Sequence, residues 1–366
     1  MKLTKFGTLG AIVAVGALAL TGCATNEGGS TTPTSAPTDG AGSSLSGTIA
    51  GAGASSQGAA QESWIAAFQT ANEAVTISYD PSGSGAGREA FIGGGVAFAG
   101  TDSALSDDEI AGGFEGCVDD SFVQVPAFID PIAVVFNIPG VDELKLDAAT
   151  LASIFKGDIT SWDDAAITAQ NPGAALSGAI TAVHRSDDSG TTKNFTDYLN
   201  KNAGDIWTEK AADPFPYATG TGAQGTSGVI EAVTAASGSI GYAAASRAGD
   251  LGIAQIKVGD EYVAFSNEAA AAVVEGSPAA DNASATNLAI KLNRTTTNPA
   301  EYPLVLVSYL IACGEYKDAA VAPIAKAFLA YVTSEEGQAV AAETGAAPLS
   351  ASQISAIQSV VATIVE

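Results

Sequence analysis

Residues 184–195, HRSDDSGTTKNF, hold side chains whose types and spacing could do chemistry. His184, Asp187 and Ser189 are the residue types of a hydrolytic triad, in which a carboxylate orients a base that activates a serine. The same stretch also fits an anion-binding site. Arg185 offers a bidentate fork to an oxyanion, and the residues from Ser189 onward begin a helix, whose free N–H groups attract negative charge.

Strand periodicity argues against the triad. The residues before His184 predict a strand, and successive strand side chains point to opposite faces of a sheet. If Arg185 faces a cleft, His184 therefore faces away from it. Metal-dependent hydrolysis would also have few nitrogen and sulfur ligands for its metal, because the chain has one histidine and three cysteines. Carboxylates alone could still hold Mg²⁺. We therefore expect no enzyme and no cofactor, and keep a phosphohydrolase only as the less favoured alternative.

Three strand-to-helix junctions share one design, a Gly-rich turn with Ser or Thr where the helix begins. The functional positions in these junctions are Ser55 and Ser56, then Ser84, then Ser189, Gly190 and Thr191. Each turn offers an anion backbone N–H groups, the positive end of a helix dipole and hydroxyl donors. None matches the GxxxxGK[ST] pattern of a nucleotide-binding loop, so together they predict a shared site for a small anion.

Asp102 adds a carboxylate to this set, at the end of the apolar strand in VAFAGTDSALSDDE (96–109). A carboxylate repels an oxyanion unless the anion carries a proton that the carboxylate can accept. Phosphate carries one or two protons near neutral pH, whereas sulfate carries none. Asp102 therefore favours phosphate over sulfate or molybdate, whose receptors remain the closest alternative.

Charge and length limit the class of protein. The chain carries 15 Lys and Arg against 40 Asp and Glu, a formal net charge of −25. Nucleic acid is a poor partner for such a chain, because binding it needs clustered cations. The 366 residues suffice for two domains, and alternating strand-like and helix-like runs predict α/β architecture.

The N-terminus has the pattern of a signal peptide, which we assign to residues 1–22. Lys2 and Lys5 precede an uncharged apolar run at 6–20, which is shorter than the roughly 20 residues of a membrane span. The following LTGC resembles a bacterial lipobox, which implies cleavage before Cys23 and a lipid on its thiol.

Residues 23–47 then form a lipidated cysteine and a flexible tether, because Leu45 is their only large aliphatic side chain. We find no other candidate membrane span in the sequence. The expected location is the extracytoplasmic face of the cell membrane, with the lipid anchor as the only attachment.

Two cysteines follow Cys23, at positions 117 and 313. Outside the cytoplasm an even pair predicts a disulfide between Cys117 and Cys313, which would tie an early segment to a late one. Two unpaired buried thiols are the alternative.

A third class of function, adhesion to a host or partner molecule, has no sequence feature in its favour.

Beyond single motifs, the order and spacing of nine segments resemble the phosphate-binding lipoproteins of bacterial ABC phosphate importers, the PstS type. The segments are GAGAS (51–55), SGSGAG (82–87), AGTDSALSDDE (99–109), VVFNIPG (134–140), LASIFKGDITSWDD (151–164), NPG (171–173), RSDDSGTTKNFTDYL (185–199), GSIGYAA (238–244) and YPLVLVSYLI (302–311).

This resemblance implies a type II periplasmic-binding-protein fold, in which crossover segments join two α/β domains around a ligand cleft. Domain I would comprise 48–127 plus 302–366, and domain II would comprise 128–301. The implied function is that of a monomeric substrate-binding protein, which captures inorganic phosphate by hydrogen bonds and delivers it to an ABC permease.

The resemblance also implies a role for each site residue. Asp102 would accept the phosphate proton, and Arg185, held by Asp187, would be the cation. The other phosphate contacts would come from Ser55, Ser56, Ser84, Ser189, Gly190 and Thr191. Ser56 departs from the pattern, because some members have an aromatic residue there.

Overall fold

The computed structural model describes residues 45–366. The predicted signal peptide, the lipid on Cys23 and the tether up to residue 44 lie outside this range. Leu45 packs against buried side chains and the first strand begins at Gly47, so the last residue of the predicted tether belongs to a strand. Within the described range, no helix has both the length and the apolar character that a membrane crossing requires.

Strands and helices alternate along the described residues, which confirms the predicted α/β class. The strands are β1 (Gly47–Gly53), β2 (Val75–Asp80), β3 (Phe98–Thr101), β4 (Phe122–Asn137), β5 (Lys145–Leu146), β6 (Thr181–Arg185), β7 (Thr221–Ala223), β8 (Ser239–Ala244), β9 (Gly252–Ile253), β10 (Gln255–Val258), β11 (Glu261–Val263) and β12 (Val305–Cys313).

The α-helices are α1 (Gly58–Ala71), α2 (Ser84–Ile92), α3 (Asp107–Gly112), α4 (Ala148–Lys156), α5 (Ala165–Thr168), α6 (Gly190–Asn202), α7 (Gly225–Ala235), α8 (Asn267–Glu275), α9 (Ala322–Val332), α10 (Glu335–Glu343) and α11 (Ala351–Val361). Short 3-10 helices cover Ser55–Gln57, Val118–Asp120 and Ala245–Arg247.

One sheet of nine strands runs through the described chain, in the order β2-β1-β3-β12-β4-β8-β6-β7, with β9 also paired to β4. A second sheet has the order β11-β10-β5. β1 is parallel to both β2 and β3, β12 is antiparallel to both β3 and β4, and β6 is parallel to β8. The central pair β4 and β12 therefore connects the strands on the two sides.

β4 is the element that belongs to both sides. It has 16 residues, whereas strands usually have about 3–10. Its first part pairs with β12 as far as Pro131, and its second part pairs with β8 from Ile132 onward. Every residue of β4 except the two at its ends is buried, because both faces of the strand are covered.

Buried apolar side chains form separate clusters on the two sides of Asp130 and Pro131. The first cluster draws on residues 49–129 and 305–364, with a contribution from α8. The second, and a smaller third, draw on residues 132–306. We call the part around the first cluster lobe I and the part around the other two lobe II. The predicted domain boundaries remain a proposal, since α8 lies in predicted domain II but packs against the first cluster.

Cys117 and Cys313 form the predicted disulfide, with their Cα atoms 5.2 Å apart. Both residues are buried in the first cluster. The bond joins the segment just before β4 to the last residue of β12. It therefore links the early and late parts of lobe I across 196 residues of chain.

Replacing both cysteines, Cys117→Ala with Cys313→Ala, is expected to lower the free energy of unfolding by about 3–5 kcal/mol, because the bond removes loop-closure entropy from the unfolded chain. Urea unfolding followed by tryptophan fluorescence measures the loss. A reducing agent should destabilise the unmodified protein and leave the double variant unchanged. Equal unfolding midpoints for the two proteins would contradict the prediction.

Candidate anion-binding site

One predicted residue from each of the three junctions, Ser56, Ser84 and Thr191, contacts Asp102 between the lobes. Ser56 Oγ lies 2.7 Å from both carboxylate oxygens and donates to them, and Thr191 Oγ1 donates to Oδ2 at 3.0 Å. Ser84 Oγ accepts a hydrogen bond from the Asp102 backbone N–H at 3.1 Å. A Cβ on Gly190 would lie 2.7 Å from Ser84 Oγ, so the close approach of α6 requires glycine there.

Neighbouring strand ends bring the first two junctions and Asp102 together. β1 ends at Gly53, which pairs with Gly100 near the end of β3. A Cβ on Gly53 would lie 1.9 Å from the Gly100 carbonyl oxygen, and its φ is +142°, so only glycine fits this position. Ser55 and Asp102 therefore leave adjacent parallel strands at the same edge of the sheet.

The helix starts form much as the sequence predicts. Ser189 caps α6, because its Oγ accepts from the Thr192 N–H at 3.2 Å. α2 begins at Ser84. At the first junction a 3-10 turn over Ser55–Gln57 precedes α1, so the backbone tightens before the α-helix begins. Each of these starts leaves backbone N–H groups that have no carbonyl partner within the helix.

Asp102 is 3% exposed. Burial raises its pKa above the usual range, and three hydroxyl donors together with the charge of Arg185 partly offset that rise. A buried carboxylate with a perturbed pKa among convergent donors is typical of a functional site.

Ser308, in the middle of β12, is a site residue that the sequence analysis did not identify. Its Oγ donates to Asp102 Oδ1 at 2.7 Å. Gln57 Nε2 donates to Ser308 Oγ at 2.8 Å and to the Tyr309 carbonyl at 2.9 Å. Because a carbonyl can only accept, the Gln57 amide must present its NH₂ group, and the Ser308 hydroxyl is left to donate to Asp102. The only sequence signal was a serine inside a long apolar run.

Arg185 is also buried and is fixed by Asp187. Its Nε donates to Asp187 Oδ1 at 2.7 Å and its Nη2 donates to Oδ2. Burial alone would raise the pKa of Asp187, but the hydrogen bonds and charge of Arg185 and the Gly225 N–H hold it below its usual range. Among residues 45–366 the remaining guanidinium nitrogen, Nη1, has no hydrogen-bond partner, so it can serve a ligand.

Ser55 lies apart from the Asp102 cluster. Its Oγ is 3.1 Å from Thr226 Oγ1 and accepts from the Thr226 N–H at 3.0 Å. Thr226 stands at the start of α7 in lobe II, and the neighbouring Gly225 N–H donates to Asp187 at 3.0 Å. The start of α7 is thus a fourth helix start at the site, which the Gly-Thr-Ser sequence at 225–227 could have signalled.

His184 lies outside this cluster. Its ring stacks on Phe215 with the centroids 4.0 Å apart, and its Nδ1 is 2.8 Å from the Arg185 carbonyl oxygen. Ser189 Oγ serves as the helix cap. Among residues 45–366, moreover, no three or more His, Cys, Asp or Glu side chains are grouped so that they could hold a metal ion.

The lobes are in contact around the site. Arg88 of α2 binds Glu109 of its own lobe at 2.7 Å and Asp213 of lobe II at 2.8 Å. Ser103 Oγ also donates to Asp213, at 3.2 Å, and the Asp213 carbonyl accepts from the Ser189 N–H. Asp213 therefore binds two residues of lobe I and also Ser189, the residue that caps α6.

Comparison with known proteins places the chain among binding proteins. A family model described as "PBP superfamily domain" matches residues 31–336. The chain is 34% identical to phosphate-binding protein PstS 3 of Mycobacterium tuberculosis (strain ATCC 25618 / H37Rv), over 95% of this chain and 96% of that protein. It is 32% identical to phosphate-binding protein PstS of Xylella fastidiosa (strain 9a5c), over 91% of each chain.

Solved structures agree in fold. A high-affinity periplasmic phosphate-binding protein, PfluDING, bound with phosphate, matches with a TM-score of 0.69 and 23% identity, over 86% of this chain and 93% of that one. A phosphate-binding protein from Stenotrophomonas maltophilia matches with a TM-score of 0.64 and 21% identity, over 86% and 93%. These likenesses confirm the type II periplasmic-binding-protein fold.

Ser308→Ala is expected to raise the pKa of Asp102 further, because the carboxylate loses a donor while its burial remains. Carbon-13 NMR titration of the aspartate carboxyl groups, assigned with Asp102→Asn, measures the change. Ser308→Thr keeps the hydroxyl and should restore the original titration. An unaltered Asp102 titration in Ser308→Ala would mean that the serine does not support the carboxylate.

Proposed function

The chain belongs to the PstS-type phosphate-binding proteins of the PBP superfamily, and on this basis we propose that it captures inorganic phosphate between its lobes and delivers it to an ABC permease. The observation that carries the proposal is the buried Asp102 carboxylate, which lies where three Ser- and Thr-rich junctions converge. A protonated tetrahedral anion suits such a mixture of many donors and one acceptor.

The proposed binding mode uses each group according to its chemistry. Backbone N–H groups at the helix starts and the hydroxyls of Ser84 and Ser189 donate to phosphate oxygens, and Arg185 Nη1 adds a charged donor. A hydroxyl proton rotates about its C–O bond, so Ser56 and Thr191 can donate either to Asp102 or to phosphate. Ser55 would donate from the outer side, beside Thr226.

Selectivity in this proposal comes from Asp102. Its carboxylate accepts the proton of hydrogen phosphate, and the hydrogen bond offsets the repulsion between two anions. Sulfate and molybdate bring no such proton near neutral pH, so a carboxylate lone pair would face their charge without a partner. This argues against the alternative that the protein is a receptor for another tetrahedral oxyanion.

We propose that the protein performs no reaction on the phosphate. His184 stacks on Phe215, outside the Asp102 cluster, and the Ser189 hydroxyl is used to cap α6. These two placements support a protein that binds phosphate without reacting with it, because covalent catalysis needs a nucleophile paired with a base.

Location and partners follow from the N-terminal pattern and from the family. We propose that a lipid on Cys23 holds the protein at the extracytoplasmic face of the membrane, where it works as a monomer with the permease. The lobes would act as the two domains, 48–127 plus 302–366 and 128–301, with closure about β4 and β12 committing the captured phosphate.

Asp102→Asn is expected to reduce the preference for phosphate over sulfate by about 10-fold or more, since an amide replaces one acceptor with a donor. Calorimetric titration of ligand-stripped protein with each anion measures the ratio of the two affinities. Asp108→Asn, an exposed position with the same charge change, serves as the control. Unchanged selectivity in Asp102→Asn would overturn the role of the carboxylate.

Arg185→Ala should weaken phosphate binding by at least ~2 kcal/mol, because a charge-assisted donor is lost and Asp187 is left without its partner. Arg185→Lys should recover only part of the loss, since lysine has the charge but not the fork. The same calorimetric titration applies. Near-native affinity in Arg185→Ala would show that phosphate binds elsewhere.

A further inference from the structure

A cavity of about 570 Å³ lies beside the proposed phosphate site, along the flank of α6. Ser103 and Ala104 of lobe I, α6 of lobe II and the segment 290–295 before β12 all contribute to its walls. Its volume is in the range of small-molecule sites. No role in the proposed phosphate capture accounts for it.

The charge of this cavity is opposite to that of the chain. Four of the 15 Lys and Arg side chains line it, Lys193, Lys201, Lys291 and Arg294, against two of the 40 Asp and Glu side chains. Of those two acids, Asp102 directs its carboxylate to the hydroxyl cluster described above. On a chain with a net charge of −25, such a local excess of cations favours the binding of an anion.

Arg294 supports the wall and does not contribute a free charge. Its Nε binds Asp197 at 3.0 Å, and its Nη1 donates to the carbonyls of Pro303 and Val305 at 2.9 and 2.6 Å. Its Nη2 donates to Asn194 Oδ1. Arg294 and Asp197 therefore neutralise each other, and the available charge comes from the three lysines.

The three lysines are only weakly engaged. Lys193 Nζ is 3.9 Å from Asp213, which already has a closer partner in Arg88. Lys291 pairs with Asp281 at 3.1 Å, but both side chains are mostly exposed, and such pairs contribute little. Lys201 is exposed and takes part in no ion pair among residues 45–366. Each ammonium group can therefore turn to an incoming anion at low cost.

The spacing of the lysines selects for an extended anion. Lys193 and Lys201 are eight residues apart on one face of α6, which separates their backbone positions by about 12 Å. Lys291 lines the cavity from the segment before β12. A single phosphate group concentrates its charge at one point, whereas a chain of two or three linked phosphates spreads its negative charges over a greater length.

The floor of the cavity is apolar. It is lined by the side chains of Ile290, Leu292, Val307 and Tyr309. The hydroxyl oxygen of Tyr309 accepts a hydrogen bond from the Ile290 N–H at 3.1 Å. An organic group attached to the phosphates would therefore find an apolar surface to cover.

We propose that this lysine cavity is a second anion site, specific for a condensed phosphate, either inorganic or linked to a nucleoside. It adjoins the Asp102 site, and Asn194 lies where the two meet. The Asn194 side chain donates to the Asp102 carbonyl at 2.6 Å and accepts from Arg294.

The test is calorimetric titration of the ligand-stripped protein with tripolyphosphate, with and without saturating orthophosphate. One saturable site is expected that orthophosphate does not displace and that weakens as salt screens the lysines. The triple variant Lys193→Gln, Lys201→Gln, Lys291→Gln should bind tripolyphosphate at least 10-fold more weakly. Its orthophosphate affinity should change by less than about threefold, since these lysines lie outside the proposed phosphate contacts.

A matched control separates the cavity from net charge. Lys257→Gln, Lys317→Gln, Lys326→Gln removes the same charge elsewhere and should leave tripolyphosphate binding within about twofold. An ADP titration distinguishes the two sources of condensed phosphate, because only a nucleoside can use the apolar floor. If ADP binds as tightly as tripolyphosphate despite its fewer charges, the nucleoside-linked form is favoured.

Three results would overturn the proposal: no saturable tripolyphosphate binding, displacement of tripolyphosphate by orthophosphate, or equal weakening in both triple variants. The orthophosphate titration stands by itself. If orthophosphate does not bind, the proposed phosphate capture is refuted, and the tripolyphosphate titration still tests the lysine cavity.

Discussion

The site depends on burying one carboxylate and supplying its oxygens with hydrogen-bond donors. Removing an ion from water costs several kcal/mol, and this is offset only when its lone pairs are satisfied. Asp102 meets that condition with donors from distant parts of the chain, Ser56, Thr191 and Ser308. The strand ends, the helix starts and the contact between the lobes can all be understood as the means of bringing those donors to one place.

Rigidity around this carboxylate comes from elements that serve both lobes. Ser308 lies on β12, which is paired on both edges, and Gln57 fixes the direction of its hydroxyl. Gln57 is fixed in turn by Gln61, whose own Oε1 is buried and has no partner within residues 45–366. Leaving such an acceptor unpaired costs about 1–3 kcal/mol. The structure tolerates that cost at the end of a chain of hydrogen bonds that leads to Asp102.

Local sequence patterns predicted the parts of the site that depend on local structure. The cap at Ser189 and the strand end at Asp102 are each encoded within a few neighbouring residues. The bond of Ser308 to Asp102 and the contact of Thr226 with Ser55 could not be predicted in this way, because the partners lie 206 and 171 residues apart in the chain. The ion pair between Arg88 and Asp213 could not be predicted for the same reason, since its two residues are 125 positions apart and meet only where the lobes touch.

The two lobes complete their cores in an order opposite to their order in the sequence. The first cluster needs side chains from residues 305–364, which are synthesised last. All residues of the second cluster are present once residue 306 has been synthesised. During synthesis, the Cys117 thiol is therefore present long before Cys313, its partner 196 residues later. The chain has only three cysteines, so Cys23 is the one thiol that could pair with Cys117 wrongly. A lipid on Cys23 would block that thiol, and an anchoring modification would then also ensure that the correct disulfide forms.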